Sequence, residues 1–368
     1  MKYLIYGLIS IFIFTGCTQK TIQTTSSPKS FNSNTNIIKQ QNSILPNSMV
    51  SVQSIETDTI QNDTIAIVYP SVNIGKYALE ATNSINTYLL YKGKPFSIET
   101  YDMFFQNEQN IIKTFKQIEE NNITKIIAMI TKEQLHILNS VPNIGTMNIY
   151  LPLINKYEVT NINELDNLHL TFGGISYEDQ FKKLFEYSQG RQLVEFYDNT
   201  QIGSFLHGFV KSQKVSYTKI IDDNNGLYQY FLKGNKYVNG ASVILNTPIV
   251  KSSILLSSIT AQELYPAMVL STQLNYTPLI FSLTQTMDRR NLIVANSIGK
   301  IPLELIEYSD ILGNSISYNW VNYSSIIGAE LLSTNNIDFF EDLKIEDNQV
   351  VYPVNLYEVN DNSFSLIK

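Results

Sequence analysis

The chain has 368 residues, 43% of them hydrophobic, enough to bury one large core or two moderate ones. A formal net charge of −7, with no dense Lys/Arg stripe, argues against a nucleic-acid partner. A single cysteine rules out a disulfide framework, so packing alone must hold the fold.

The first element in chain order is a short exported leader. Met1-Lys2 gives a positive start, and residues 4–14 are apolar apart from Gly7 and Ser10. Such a run is too short to cross a bilayer as a helix, which takes about 20 apolar residues. It matches instead the core of a secretory signal. Phe14-Thr15-Gly16-Cys17 follows, and the sequence turns polar from Thr18. This resembles the lipobox of bacterial lipoproteins, with Phe14 where Leu is usual. The resemblance implies that Cys17 is fatty-acylated, forms the mature N-terminus and anchors the chain to a membrane. Thr18, where an inner-membrane retention signal carries Asp, points to the outer membrane facing the periplasm.

Residues 18–63 are rich in Ser, Thr, Asn and Gln, with Pro28 and Pro46, and show no sustained period. They read as a disordered tether with too few apolar residues to offset the entropy of ordering. A flexible chain of this length holds the globular part on the order of 40 Å from the lipid anchor.

From residue 64 the pattern becomes alternating strand and helix. Residues 64–69 form a strand ending at Pro70. Ile74, Ala78, Ala81, Ile85 and Tyr88 or Leu89 then define one helix face. Strands are expected at 96–103, 125–130, 147–151 and 169–172, with helices at 107–121 and 131–139. A second cycle starts with a helix at 177–189, then a strand at 192–197, a helix at 202–211 and a strand at 217–221. Strands at 241–245, 267–270 and 292–295 complete it, with helices between. Residues 315–333 are again helical, and 349–359 read as one or two strands. Apolar runs separated by helices imply parallel sheets covered on both faces.

Three segments carry a family resemblance. TIAIVYPSVNIGKYALEA (64–81) resembles the opening strand, loop and helix of type I periplasmic binding proteins. VEFYDNTQIGSFLHG (194–208) looks like the unit that opens their second lobe. ISYNWVNYSSIIGAELL with the following tail is similar to their closing helix and C-terminal strand pair. Within this group the chain looks closest to the C-terminal domain of LpoA-type activators of penicillin-binding proteins. The resemblance implies an α/β fold of two Rossmann-like lobes joined by a three-strand hinge. Lobe 1 would take residues 64–175 plus 301–340, and lobe 2 residues 176–300 plus 341–368. It also implies a ligand site between the lobes.

Nothing in the sequence sets up catalysis. His136, His169 and His207 lack metal-ligand spacing, and there is no Walker loop, GxGxxG or GxSxG string. No cofactor or metal is expected. Gly173-Gly174 reads as a turn at the crossover between lobes. The candidate ligand contacts are polar residues just past strand ends: Ser71, Asn73, Thr131, Asn155, Asp198, Asn199, Asn246 and Thr272. Beside helix N-termini they can hold a polar group, and they are equally the ordinary helix caps. Arg289-Arg290 reads as a solvated loop with a surface ion pair, or as a clamp for a carboxylate. Two functions emerge as expectations. One is a non-enzymatic lipoprotein binding a small polar ligand, amino-acid-like or cell-wall-derived; the other is a regulator binding a peptidoglycan synthase.

Overall fold

The structure is a computed structural model and describes residues 63–368, apart from Lys94 and residues 222–225. The leader, Cys17 and the tether to residue 62 lie outside the described residues. Among those described, no helix is long and apolar enough to cross a membrane.

The chain opens with strand β1 (Asp63–Tyr69), helix α1 (Ser71–Lys92), β2 (Phe96–Asp102), α2 (Glu108–Glu120) and β3 (Lys125–Ala128). A 3₁₀ helix at Lys132–Ser140 leads to β4 (Asn148–Leu151) and β5 (His169–Phe172). The second cycle runs α3 (Tyr177–Ser188), β6 (Leu193–Asp198), α4 (Gln201–Val210), β7 (Val215–Ile221) and α5 (Gln229–Leu232). It continues through β8 (Ser242–Asn246), α6 (Ile249–Ala261), β9 (Met268–Ser271), α7 (Leu279–Leu283) and β10 (Leu292–Asn296). Helices α8 (Leu303–Ile311) and α9 (Trp320–Thr334) precede β11 (Lys344–Glu346), β12 (Gln349–Val351), β13 (Asn355–Val359) and β14 (Phe364–Leu366).

Helix ends fall where local chemistry sets them. Asn107 accepts the N–H of Asn110 and starts α2. Ser176 accepts from Asp179 and starts α3, whose first turn carries Glu178 and Asp179 at the positive end of the helix dipole. Asn319 takes the N–H groups of Val321 and Asn322, so α9 begins at Trp320 and not at the 315 expected from the apolar pattern.

Two seven-stranded sheets result, in the orders β11-β12-β5-β4-β3-β1-β2 and β14-β13-β10-β9-β8-β6-β7. Five strands of each share one plan: the opening strand lies between the next two in sequence, and all five run parallel. Residues 341–368 do not go to one lobe as expected. The β11–β12 hairpin joins the first sheet beside β5, while β13 pairs antiparallel with β10 and β14 antiparallel with β13 to extend the second sheet. Pro353 marks the break, since it has no N–H to give a ladder. One apolar cluster runs from Ile67 and Tyr150 through Ile175 and Tyr177 to Leu270 and Ile293, spanning both lobes. Each sheet has a further core on its other side.

Three linkers join the lobes, at residues 173–176, 297–302 and 352–354. The first is clamped. The Ser324 hydroxyl donates to the Gly173 carbonyl at 2.8 Å and that of Tyr352 does so at 2.6 Å. Ser324 has one hydrogen and directs it there, so the Tyr150 hydroxyl, 3.1 Å away, donates to Ser324. Asn155 and Gln349 side chains both donate to the Gly174 carbonyl, at 3.2 and 3.1 Å. A Cβ on Gly173 would overlap the Tyr150 hydroxyl, one on Gly174 the backbone at Ile154–Asn155, and one on Gly328 the Tyr150 ring. Gly173-Gly174 thus sits at the crossover, and only hydrogen fits at either α-carbon.

Two predictions arise from this clamp. Gly174→Ala meets backbone and should cost about 1–3 kcal/mol by urea unfolding. The second concerns alkali. Burial raises the pKa of the Tyr150, Tyr323 and Tyr352 phenols above the ordinary value of 10.0. A raised native pKa means that stability is fully present below the unfolded value and lost as pH rises towards the native one. The urea midpoint should therefore hold up to about pH 9 and fall above about pH 10, less steeply in Tyr352→Phe.

Candidate functional site

The parallel plan sends the loops after β1, β3, β4 and β6 to strand C-terminal ends, where open α/β sheets bind ligands. A cavity of about 790 Å³ lies there between the lobes. From the first lobe it takes Thr131, Lys132 and Glu133 after β3, Leu153, Ile154 and Glu158 after β4, and Trp320 at the start of α9. Ile175 and Tyr177 come from the first linker and α3. The second lobe supplies Thr200, Gln201, Ile202, Ser204 and Phe205 around the start of α4. The lining is largely apolar and aromatic, in contrast to the polar cleft expected from the loops.

Charge is concentrated at one point. Lys132 Nζ lies 3.6 Å from Glu158 Oε2 and 4.7 Å from the centre of the Phe205 ring, so it reaches across from the first lobe to the second. Phe205 packs edge-on to Tyr177 at 6.0 Å and to Phe209 at 5.1 Å. Burial raises the Glu158 pKa, opposed by Lys132 and assisted by Glu178. The Thr131 hydroxyl holds Glu133 below its usual pKa against the effect of burial, with its own backbone N–H and Lys132 helping. Tyr177 is raised by burial and then by the Glu158 charge.

Of the eight polar residues singled out from the sequence, Thr131 alone is among the cavity residues; its hydroxyl also accepts from Gln106 at 2.9 Å. Ser71 starts α1, its N–H bonded to Asp102 at 3.0 Å, and Asn73 is exposed one turn in. Asn155 is buried and caps a 3₁₀ turn by accepting the Tyr157 N–H at 3.1 Å. Asp198 is buried against Lys251 at 3.2 Å and accepts from the Thr200 hydroxyl, while Asn199 is exposed beside it. Asn246 is buried and donates to Glu195 at 2.9 Å, and Thr272 is buried. Glu195 also meets His207 Nδ1 at 2.8 Å, and the His207 ring stacks on Tyr197. Burial raises the Glu195 pKa, with His207 and Asn246 opposing. These side chains serve the interior of the second lobe.

Arg289 departs from both expectations. It is buried, donates to the carbonyls of Asn360 at 3.0 Å and Thr284 at 2.8 Å as well as that of Asp361, and covers the Phe281 ring. Its role is to anchor the β13–β14 turn. Among the cavity residues missed from the sequence are Glu133, Glu158, Tyr177, Ile202, Phe205 and Trp320. Apart from the two glutamates, each is an aromatic or aliphatic side chain in the first two turns of a helix.

No protein-family model matches the chain, and no curated protein matches it in sequence. Solved structures do match in fold. A putative branched-chain amino acid ABC transporter protein from Rhodospirillum rubrum superposes with a TM-score of 0.61 at 9% identity, over 83% of this chain and 100% of that one. The LpoA C-domain from Haemophilus influenzae, described as a regulator of PBP1A, gives 0.54 at 12% identity, over 83% and 100%. LivJ of Streptococcus pneumoniae, a branched-chain amino acid substrate-binding protein solved with isoleucine, gives 0.58 at 8% identity, over 84% and 100%. Of full-length H. influenzae LpoA the match covers 59%. The fold is that of type I periplasmic binding proteins, shared by transporter binding proteins and LpoA.

If the cavity residues act on a ligand and not on the fold, Phe205→Ala and Trp320→Ala should each shift the urea midpoint little, since both side chains are only half-buried. A loss of more than about 3 kcal/mol, the scale of a core aromatic truncation, would assign them to the core instead.

Proposed function

We propose that this chain is a lipid-anchored envelope protein that holds a small ligand in its inter-lobe cleft and catalyses no reaction on it. The carrying observation is the cavity itself: both lobes contribute to it, at strand C-terminal ends, and its volume is that of a ligand site. The fold is shared with proteins whose descriptions name amino-acid transport or regulation of PBP1A, which supports binding over chemistry. The apolar part of the lining favours a ligand that adds an apolar body to the polar groups expected from the loops. Cys17, directly after the apolar run, is the proposed acylation site, and the outer membrane facing the periplasm is the proposed location.

Thermal shift and calorimetry over amino acids, apolar dipeptides and muropeptides test the reading. A hit should weaken at least tenfold in the double variant Phe205→Ala/Trp320→Ala; no stabilisation by any member would sink the idea. For the anchor, Cys17→Ser should release the protein from membranes and remove the acyl mass from the N-terminal peptide.

A second reading, a regulator that docks on a peptidoglycan synthase, is favoured by one feature. Phe104 and Phe105, after β2, are 56% and 49% exposed and stack edge-on at 4.7 Å. Phe104 has φ of 59°, a left-handed backbone costing about 1–2 kcal/mol for a bulky residue. Asp102 accepts its N–H at 2.8 Å, and Asn110 donates to the carbonyls of Met103 and Phe105. A strained loop built to display two aromatic rings suits a protein contact. Pull-down from solubilised membranes should recover a penicillin-binding protein with the wild type and lose it with Phe104→Ser/Phe105→Ser. Equal recovery by both rules out this surface.

A further inference from the structure

We infer that the inter-lobe cleft is a site for an organic cation, an amine or quaternary ammonium on an apolar body, and that Lys132 occupies the cation position when no ligand is present. This deepens the cleft-binding reading and rests on it.

The argument starts from the surroundings of the Lys132 ammonium. It lies 4.7 Å above the Phe205 ring and 3.6 Å from Glu158, with Tyr177 edge-on to Phe205 and Trp320 in the same cavity. Aromatic faces beside a carboxylate attract cations, and rings grouped in this way recognise ammonium ligands. The cavity lining carries two carboxylates, Glu133 and Glu158, against the single ammonium of Lys132. Glu178 adds a further negative charge acting on Glu158. The start of α4 opposes these with a partial positive charge of about half a unit. Its Thr200 hydroxyl already accepts the Gly203 N–H at 3.1 Å and donates to Asp198. With Lys132 in place the two lining carboxylates exceed the positive charge by about half a unit; with its ammonium swung out to solvent, only the partial charge of α4 opposes them. Lys132 is suited to that exchange, because its side chain is 34% exposed on a flexible four-carbon stem. An anionic ligand would instead need Lys132 to give up Glu158 while both carboxylates stayed beside the incoming charge.

The test compares probes of one shape and three charges: phenethylamine, phenethyl alcohol and phenylacetate. Each is titrated by calorimetry into the full chain in non-ionic detergent. The expected order is cation, then alcohol, then anion, with cation over alcohol by about threefold to thirtyfold. Lys132→Met removes the resident ammonium and should raise the amine's affinity at least threefold. Glu158→Gln should lower the amine's affinity without changing that of the alcohol. Tighter binding of phenylacetate, abolished in Lys132→Met, would overturn the cation assignment and leave the cleft reading standing. Equal binding of all three probes would do the same. Failure of every probe with both wild type and Lys132→Met would overturn the assignment and count against the cleft reading as well.

Discussion

The fold depends on a main-chain passage too narrow for a side chain. Gly173 and Gly174 leave the first sheet between the Tyr150 hydroxyl and the Ile154–Asn155 backbone, and Gly328 lets the Tyr150 ring lie against α9. Five side chains (Tyr150, Asn155, Ser324, Gln349 and Tyr352) then satisfy one another or the two glycine carbonyls. Buried carbonyls without such partners would each cost about 1–3 kcal/mol. The donors come from β4, the loop after it, α9, β12 and the third linker, so one site ties distant parts of the chain to the first crossover. Ile175 and Tyr177 come directly after it and line the cavity, which links the clamp to the position of the cleft wall.

Much of the architecture was legible because local signals and tertiary demand agree. Asn107 and Asn121 bracket α2 as its sequence suggests, and Ile111, Phe115 and Ile118 are buried as its stripe requires. The repeated plan of the two lobes shows in the alternation of apolar runs and helices. The tail was harder. Residues 349–359 are mostly β-forming on either side of Pro353, and which sheet each part joins is decided by partners far away in sequence, Phe172 for Gln349 and Asn296 for Asn355. Only Pro353 marks the division locally.

The site was far less legible, for a physical reason. Ser, Thr, Asn and Asp after strands can satisfy the open N–H groups of the following helix or pair inside their own lobe, and the fold uses several of them in one of these two ways. Asn155 caps, Asp198 meets Lys251, and Asn246 meets Glu195. The cavity is lined chiefly by side chains that no cap requires: Ile202 and Phe205 on the first turns of α4, and Trp320 at the head of α9. Their apolar character made them look like core, and they do pack half-buried against the shared cluster.

The two ways in which the lobes are joined differ in strength. At the first linker the contacts are buried hydrogen bonds around glycines, with no room for adjustment. Across the cleft the charged contact is Lys132 over Phe205, an interaction worth about 0.5–2 kcal/mol and shared with Glu158. A rigid crossover and a weakly bridged mouth let the cleft exchange its own ammonium for another group without disturbing the clamp. A ligand gains only the difference between its contacts and those of Lys132, so affinity is set less by how well it fits the rings than by how cheaply the lysine regains water. A flexible stem already one-third exposed keeps that cost small, and this is why the residue best placed to fill the cleft is also the one that can leave it.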